Sequence, residues 1–212
     1  MSELYVHNTL SRSSELFEPA VPGQVRMYVC GMTTYDYCHI GHARAMISFD
    51  VVYRWLINQG YQVTYVRNHT DVDDKIIARA RQVGEEPLAL SARFIAVLDE
   101  DLGRLGMVPP TIQPKVTEHI PEIREIIQQL LDGGHAYASD GDVYFSVETC
   151  PDYGHLSGRT VADVHEGDNG EASTRKRNPA DFALWKGVKA GEEGAVWDAP
   201  WGRGRPGWHI EC

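Results

Sequence analysis

The chain has 212 residues, of which 42% are hydrophobic and 24% charged, with a formal charge of -10. That is the composition of a globular protein of one or two domains, and no apolar run reaches the roughly 18 residues of a membrane span. The acidic balance disfavours broad electrostatic capture of DNA or RNA, which needs clustered Lys and Arg.

The N-terminal run MSELYVHNTLSRSSELF lacks the basic-then-apolar plan of a secretory signal, so the expected location is the cytoplasm. VRMYVC, residues 25–30, reads as a strand closed by Gly31. From about Gly41 to Gln59 the residues Met46, Phe49, Val52 and Leu56 recur at helical spacing, and Gly60 ends the helix. YQVTYVRN, residues 61–68, reads as a second strand. Strand, helix and strand in some forty residues make a parallel crossover unit, and a sheet covered by helices follows. Thr70 and Asp71 can cap the next helix, with Asp73 and Asp74 in its first turn. Further helices are predicted over Pro87 to about Leu105 and Thr117 to Leu131, with Pro121 tolerated in a first turn and Gly133-Gly134 as the stop. AYAS and DVYFSV around Gly141 predict a small antiparallel hairpin. From Pro151 the texture turns rich in Gly, Pro, Asp and Trp, and about 115–200 reads as an insertion, partly β and partly loop. Arg175-Lys176-Arg177 is the local basic cluster, either a solvated loop or a nucleic-acid contact.

The densest chemistry is CGMTTYDYCHIGHAR, residues 30–44. In an open parallel sheet ligands sit beyond the carboxyl ends of the strands, and the crossover brings Cys30 and Gly31 to the same crevice as Asn68, His69 and Thr70. His39, Gly41 and His42 fall at the start of the connecting helix, where free N–H groups and the helix dipole favour anions. GxxxxGK[ST] does not occur and no GxGxxG follows either strand of the crossover, so the two imidazoles are the candidate phosphate donors, and Gly41 leaves room for a nucleotide. Simpler readings stay open here: His39 and His42 as caps or packing residues, Cys30 as a small buried hydrophobe, or a local zinc knot of Cys30, Cys38, His39 and His42. The four cysteines, Cys30, Cys38, Cys150 and Cys212, read as thiols or metal ligands rather than a disulfide framework.

In order and spacing, CGMTTYDYCHIGHAR, FDVVYRWL, YVRNHTDVDDKII, RKRNPADFALWK and GRPGWHIEC resemble the cysteinyl-tRNA synthetases, which are class I aminoacyl-tRNA synthetases. The resemblance implies an α/β fold: a Rossmann-type parallel sheet with helices on both faces, incomplete here, plus an α+β connective insertion. Its implied division is residues 1–114 for the first half of the catalytic domain, 115–200 for the insertion and 201–212 for the return. It implies activation of cysteine by ATP with magnesium, then transfer to tRNA(Cys). His39 and His42 would be the catalytic pair, binding ATP with Gly41 and stabilising phosphate charge. Gly31, Thr33, Thr70 and Trp208 would contact cysteine. Cys30 and Cys212 would ligate a zinc ion that selects the substrate thiolate over a serine hydroxyl. Trp208 and Cys212, four apart, would share one side of a helix, although a core tryptophan is the plain alternative. Cys38 and Cys150 match no ligand.

The family's remaining zinc ligands, its KMSKS loop and its anticodon-reading domains lie beyond these residues, so the chain alone is expected to charge tRNA poorly. Residues 175–177 are then the candidate contact for the tRNA acceptor end. Two rival readings remain, the related cysteine:amino-sugar ligase of mycothiol synthesis and a non-catalytic nucleotide- or amino-acid-binding fragment; NPADFALWK, residues 178–186, follows the synthetase pattern. No membrane or DNA partner is expected.

Overall fold

The computed structural model describes residues 3–160, 175–189 and 194–211. The chain divides into two compact units, Met1–Val6 with Glu15–Glu118, and His7–Ser14 with His119–Cys212. No helix among the described residues is long and apolar enough to cross a membrane. An N-terminal strand pair, β1 (Tyr5–Asn8) with β2 (Ser13–Leu16), was not expected, because YVHN and SSEL show no apolar alternation.

In the first unit, β3 (Gln24–Val29) and β4 (Gln62–Arg67) run parallel, in register from Gln24 opposite Gln62 to Val29 opposite Arg67. Helix α1 (Ile40–Asn58) makes the crossover between them, as expected. Its buried line is Ala43, Met46, Asp50, Tyr53 and Leu56. The expected stripe is therefore corrected at two positions: Phe49 and Val52 are exposed, at 41% and 44%. The physical reason is Asp50, which is buried because it accepts from Arg54 Nε at 2.7 Å and from the Val108 amide at 2.9 Å, turning the helix to carry a polar residue inward.

Two helices follow, α2 (Asp74–Val83) and α3 (Pro87–Arg104). The N-cap of α2 is Asp73, whose carboxylate accepts from the Lys75 amide at 2.8 Å, so neither Thr70 nor Asp71 caps it. Asp71 instead accepts from the Thr117 amide at 3.0 Å and from the Thr117 hydroxyl. Ile76 and Ala80 of α2 close on Leu90 and Phe94 of α3, while Leu98 and Leu102 of α3 pack with Met32 and Met46. Each such fully buried aliphatic side chain contributes about 1.5–3 kcal/mol. The chain then returns alongside β4: Arg67 donates to Ile112, Ile112 to Tyr65 and His69 to Pro114, with parallel bridges at Val66–Ile112 and His69–Lys115.

In the second unit α4 (Ile120–Asp132) begins one turn later than expected, with Pro121 in its first turn and a separate 3₁₀ turn over Val116–Glu118 before it. The expected hairpin is β5 (Ala136–Ser139) with β6 (Asp142–Phe145). It extends into a four-stranded antiparallel sheet through β7 (Phe182–Gly187) and β8 (Gly204–Pro206). Asp181, fully buried, ties this unit together by accepting from Tyr137 Oη at 2.7 Å, the Val147 amide at 3.0 Å and the Asn178 amide at 3.1 Å.

Candidate functional site

The carboxyl ends of β3 and β4 meet directly. The Gly31 amide donates to Asn68 Oδ1 at 2.7 Å, Thr33 and Thr70 form a parallel bridge, and the Thr34 amide donates to the Thr70 carbonyl at 3.1 Å. Gly31 is required by this joint, since a Cβ there would lie 1.6 Å from the Asn68 carbonyl oxygen. Thr70 is buried and Thr33 half-buried. Thr34 is fully buried, donating or accepting with Ser91 at 2.5 Å and so fastening the joint to α3. Cys30, one residue before Gly31, is exposed and outside any disulfide, which corrects its reading as a buried hydrophobe.

At the start of α1, His39 is the N-cap, with Nδ1 accepting from the Gly41 amide at 3.1 Å. A neutral ring that accepts at Nδ1 carries its proton on Nε2 and can donate there. The His39 and His42 rings stack at 3.7 Å between centroids and 22° between planes. A side chain at Gly41 would meet the His39 ring at 2.9 Å, so glycine keeps that ring in place. Burial, then the neighbouring charge of His39, pushes His42 below the ordinary histidine value of 6.5. His39 thus caps the helix and stacks on His42 in one turn, beside the free amides of the helix start.

Cys38 is half-buried against Met32, Met46, Leu98 and Leu102, and burial pushes its thiol up. The proposed knot of Cys30, Cys38, His39 and His42 is corrected: no three His, Cys, Asp or Glu side chains come together to hold a metal among the described residues. Cys212 lies outside the described residues. Of the two expected zinc ligands only Cys30 can be placed, and a single thiol does not make the donor set of a zinc site.

In the second unit Trp208 opens a single 3₁₀ turn, Trp208–Ile210, rather than an α-helix, so the expected four-residue alignment with Cys212 does not apply. Its ring is 58% exposed and leans on His209 at 4.9 Å, which in turn meets Phe182 at 4.7 Å. A core role for Trp208 is excluded by that exposure. Two residues of the basic cluster have local partners: Arg175 pairs with Asp142 at 3.0 Å, and Arg177 lies over the Tyr137 ring at 4.1 Å.

The sequence places His69 at the crevice but does not signal its burial, and it passes over Arg67. Both are buried, at 2% and 3% exposure, where β4 ends; an arginine directly after the β-prone run VTYV was the available signal. Burial pushes His69 below 6.5, although Asp99 and Asp71 oppose this. The folded unit therefore prefers the neutral ring, while the unfolded chain takes a proton near 6.5. Its contribution to stability is full above that value and is lost as the pH falls through and below it. Urea midpoints should drop between pH 7.5 and 5.5, and His69→Gln should flatten the fall.

The fold is that of the class I aminoacyl-tRNA synthetases. It superposes on Mycobacterium tuberculosis methionyl-tRNA synthetase in complex with methionyl-adenylate with a TM-score of 0.62, at 16% identity, over 88% of this chain and 45% of that one. The family model for the tRNA synthetases class I (C) catalytic domain matches residues 16–212, and the chain belongs to this family. It is 60% identical over 209 residues to the cysteine–tRNA ligase of Trichlorobacter lovleyi, covering 99% of this chain and 42% of that protein. It is 56% identical over 210 residues to the chloroplastic/mitochondrial cysteine–tRNA ligase of Arabidopsis thaliana, covering 99% and 37%. The chain thus spans about two fifths of the length of these relatives.

Proposed function

We propose that these residues form the nucleotide- and cysteine-facing part of a cysteine–tRNA ligase, which joins cysteine to ATP and passes the cysteinyl group to tRNA(Cys). The observation that carries this reading is the stacked His39–His42 pair at the start of α1, in a crossover whose strand ends meet at Gly31 and Asn68. In the first step a cysteine carboxylate oxygen attacks the α-phosphorus of ATP, the new P–O bond forms, and the bond to pyrophosphate breaks. His39, donating from Nε2, and His42 hold phosphate oxygens as negative charge develops, with magnesium accompanying ATP. Gly41 keeps the His39 ring in position, and Gly31, Thr33, Thr70 and Trp208 are proposed to contact the cysteinyl part. No side chain acts as a nucleophile.

Cys30 and Cys212 are proposed zinc ligands. The division at 1–114, 115–200 and 201–212 is part of the same proposal; the change of unit between Glu118 and His119 supports its first boundary, and β8 belongs to the sheet of the second unit. Arg175–Arg177 remain the proposed acceptor-end contact, less available for the partners already named. The cytoplasm is the proposed location.

The test is cysteine-dependent exchange of pyrophosphate into ATP by a protein of the relatives' full length carrying these residues. Single alanine variants of His39 and His42 should each lower the exchange by about 10²- to 10³-fold. Exchange with serine in place of cysteine, or unaltered exchange in both variants, would refute the assignment.

A further inference from the structure

The loop between the strand joint and the helix start, residues 31–39, carries Gly31 and Thr33 near one end and His39 at the other. Two aromatic side chains lie between them, Tyr35 and Tyr37. Tyr35 is half-buried and packs with Ile76, Ala80, Leu90 and Phe94, and the exposed Lys75 ammonium sits 5.8 Å from its ring centre. Tyr37, at 63%, is the most exposed Phe, Tyr or Trp among the described residues. Its ring is nevertheless seated, meeting the buried Phe94 ring edge-on at 5.3 Å and 85°, while the Arg93 guanidinium lies over Phe94 at 4.3 Å. The carboxylates that share this surface are paired, Asp36 with Arg79 at 3.7 Å and Glu85 with Arg93 at 2.7 Å. A tyrosine ring held in place, open to solvent and with its neighbouring carboxylates paired, is a stacking platform for an unpaired base.

We propose that Tyr37 stacks on an unpaired nucleotide at the 3′ end of tRNA while the cysteinyl group is transferred, a role that rests on the function proposed above. In that step the terminal ribose oxygen bonds to the cysteinyl carbonyl carbon, the bond from that carbon to the AMP phosphate oxygen breaks, and the hydroxyl proton goes to solvent. The ribose must therefore reach the joined ends of β3 and β4, and the loop that leads from that joint to His39 borders its path. Lys75, exposed beside Tyr35, adds a cation for the phosphate backbone. A single open face suits the end of a strand better than a free mononucleotide. One stack is worth about 5- to 150-fold in affinity, too little to hold a small ligand alone but enough to direct the end of a molecule already bound elsewhere.

The test uses a protein of the relatives' full length carrying these residues, assayed for both steps. Tyr37→Ala should leave cysteine-dependent pyrophosphate exchange and its KM for ATP within about twofold, and should lower kcat/KM for tRNA(Cys) in the transfer by about tenfold or more, the scale of one stack. Tyr37→Trp should restore the transfer because an indole keeps the aromatic face, and Tyr37→Leu should not. tRNA(Cys) lacking its 3′-terminal unpaired nucleotides should bind the native protein and Tyr37→Ala equally, an outcome that a role in loop stability alone would not require of the full-length tRNA's contrast. Intact exchange with unchanged transfer in Tyr37→Ala overturns the role of Tyr37 and leaves the function standing. A raised KM for ATP in the exchange also overturns it, giving the ring to the adenine of ATP instead. Absence of exchange in the unaltered protein overturns both.

Discussion

Gly31→Ala is expected to cost about 3 kcal/mol of stability, because the added methyl lands 1.6 Å from the Asn68 carbonyl oxygen and 2.8 Å from its carbon. Those are backbone atoms at the point where the two parallel strands join, so no side chain can swing away to relieve the contact. The strands must part, and the Gly31 amide then loses its 2.7 Å bond to Asn68 Oδ1. Gly103→Ala is the matched control, gaining roughly 0.5–1 kcal/mol by helix propensity alone. Urea unfolding of the two variants reads the difference; equal midpoints would mean that the strand ends are not joined at Gly31.

Asp181→Ala is expected to destabilise the second unit by about 3–4 kcal/mol, since three donors lose their acceptor inside a packed core. The Tyr137 hydroxyl is the hub: it donates to Asp181 at 2.7 Å and accepts from the Arg177 amide at 2.7 Å. Burial, with a further push from the Asp181 carboxylate, holds that phenol protonated far above the usual tyrosine range. Asp181→Asn keeps one oxygen but turns an amide donor toward donors, and should fall between alanine and the native residue. Thermal melts of both variants, followed by near-ultraviolet signals from Trp185 and Tyr137, check the order. An asparagine variant less stable than alanine would break the account of this network.

The crossover was legible because its signals are local: a β-prone run closed by Gly31, a helix with apolar residues every three or four positions, and a second run ending at Asn68. α3 could be placed because Pro87 fits a first helical turn. The inward face of α1 was misassigned for a non-local reason, since what buries Asp50 is the Val108 amide 58 residues away. β7 escaped because FALWKG has no polar-apolar alternation to read: Leu184 and Trp185 are both buried and the strand lies between β6 and β8. The imidazole pair was found from HIGH at a helix start, a pattern with a mechanism behind it. Its stacking, and the part Gly41 plays in seating His39, depend on side-chain geometry that spacing does not carry. Arg67 was passed over because its burial depends on α3 and the chain after it.

The most direct measurement follows the ring signals of His39 and His42 while the chain is titrated with the sulfamoyl analogue of cysteinyl adenylate. The two imidazoles are predicted to shift together and saturate at one ligand per chain, with the Gly31 and Asn68 amides following the same curve. A bound analogue that leaves both rings unmoved would contradict the placement of the adenylate at the joined ends of β3 and β4.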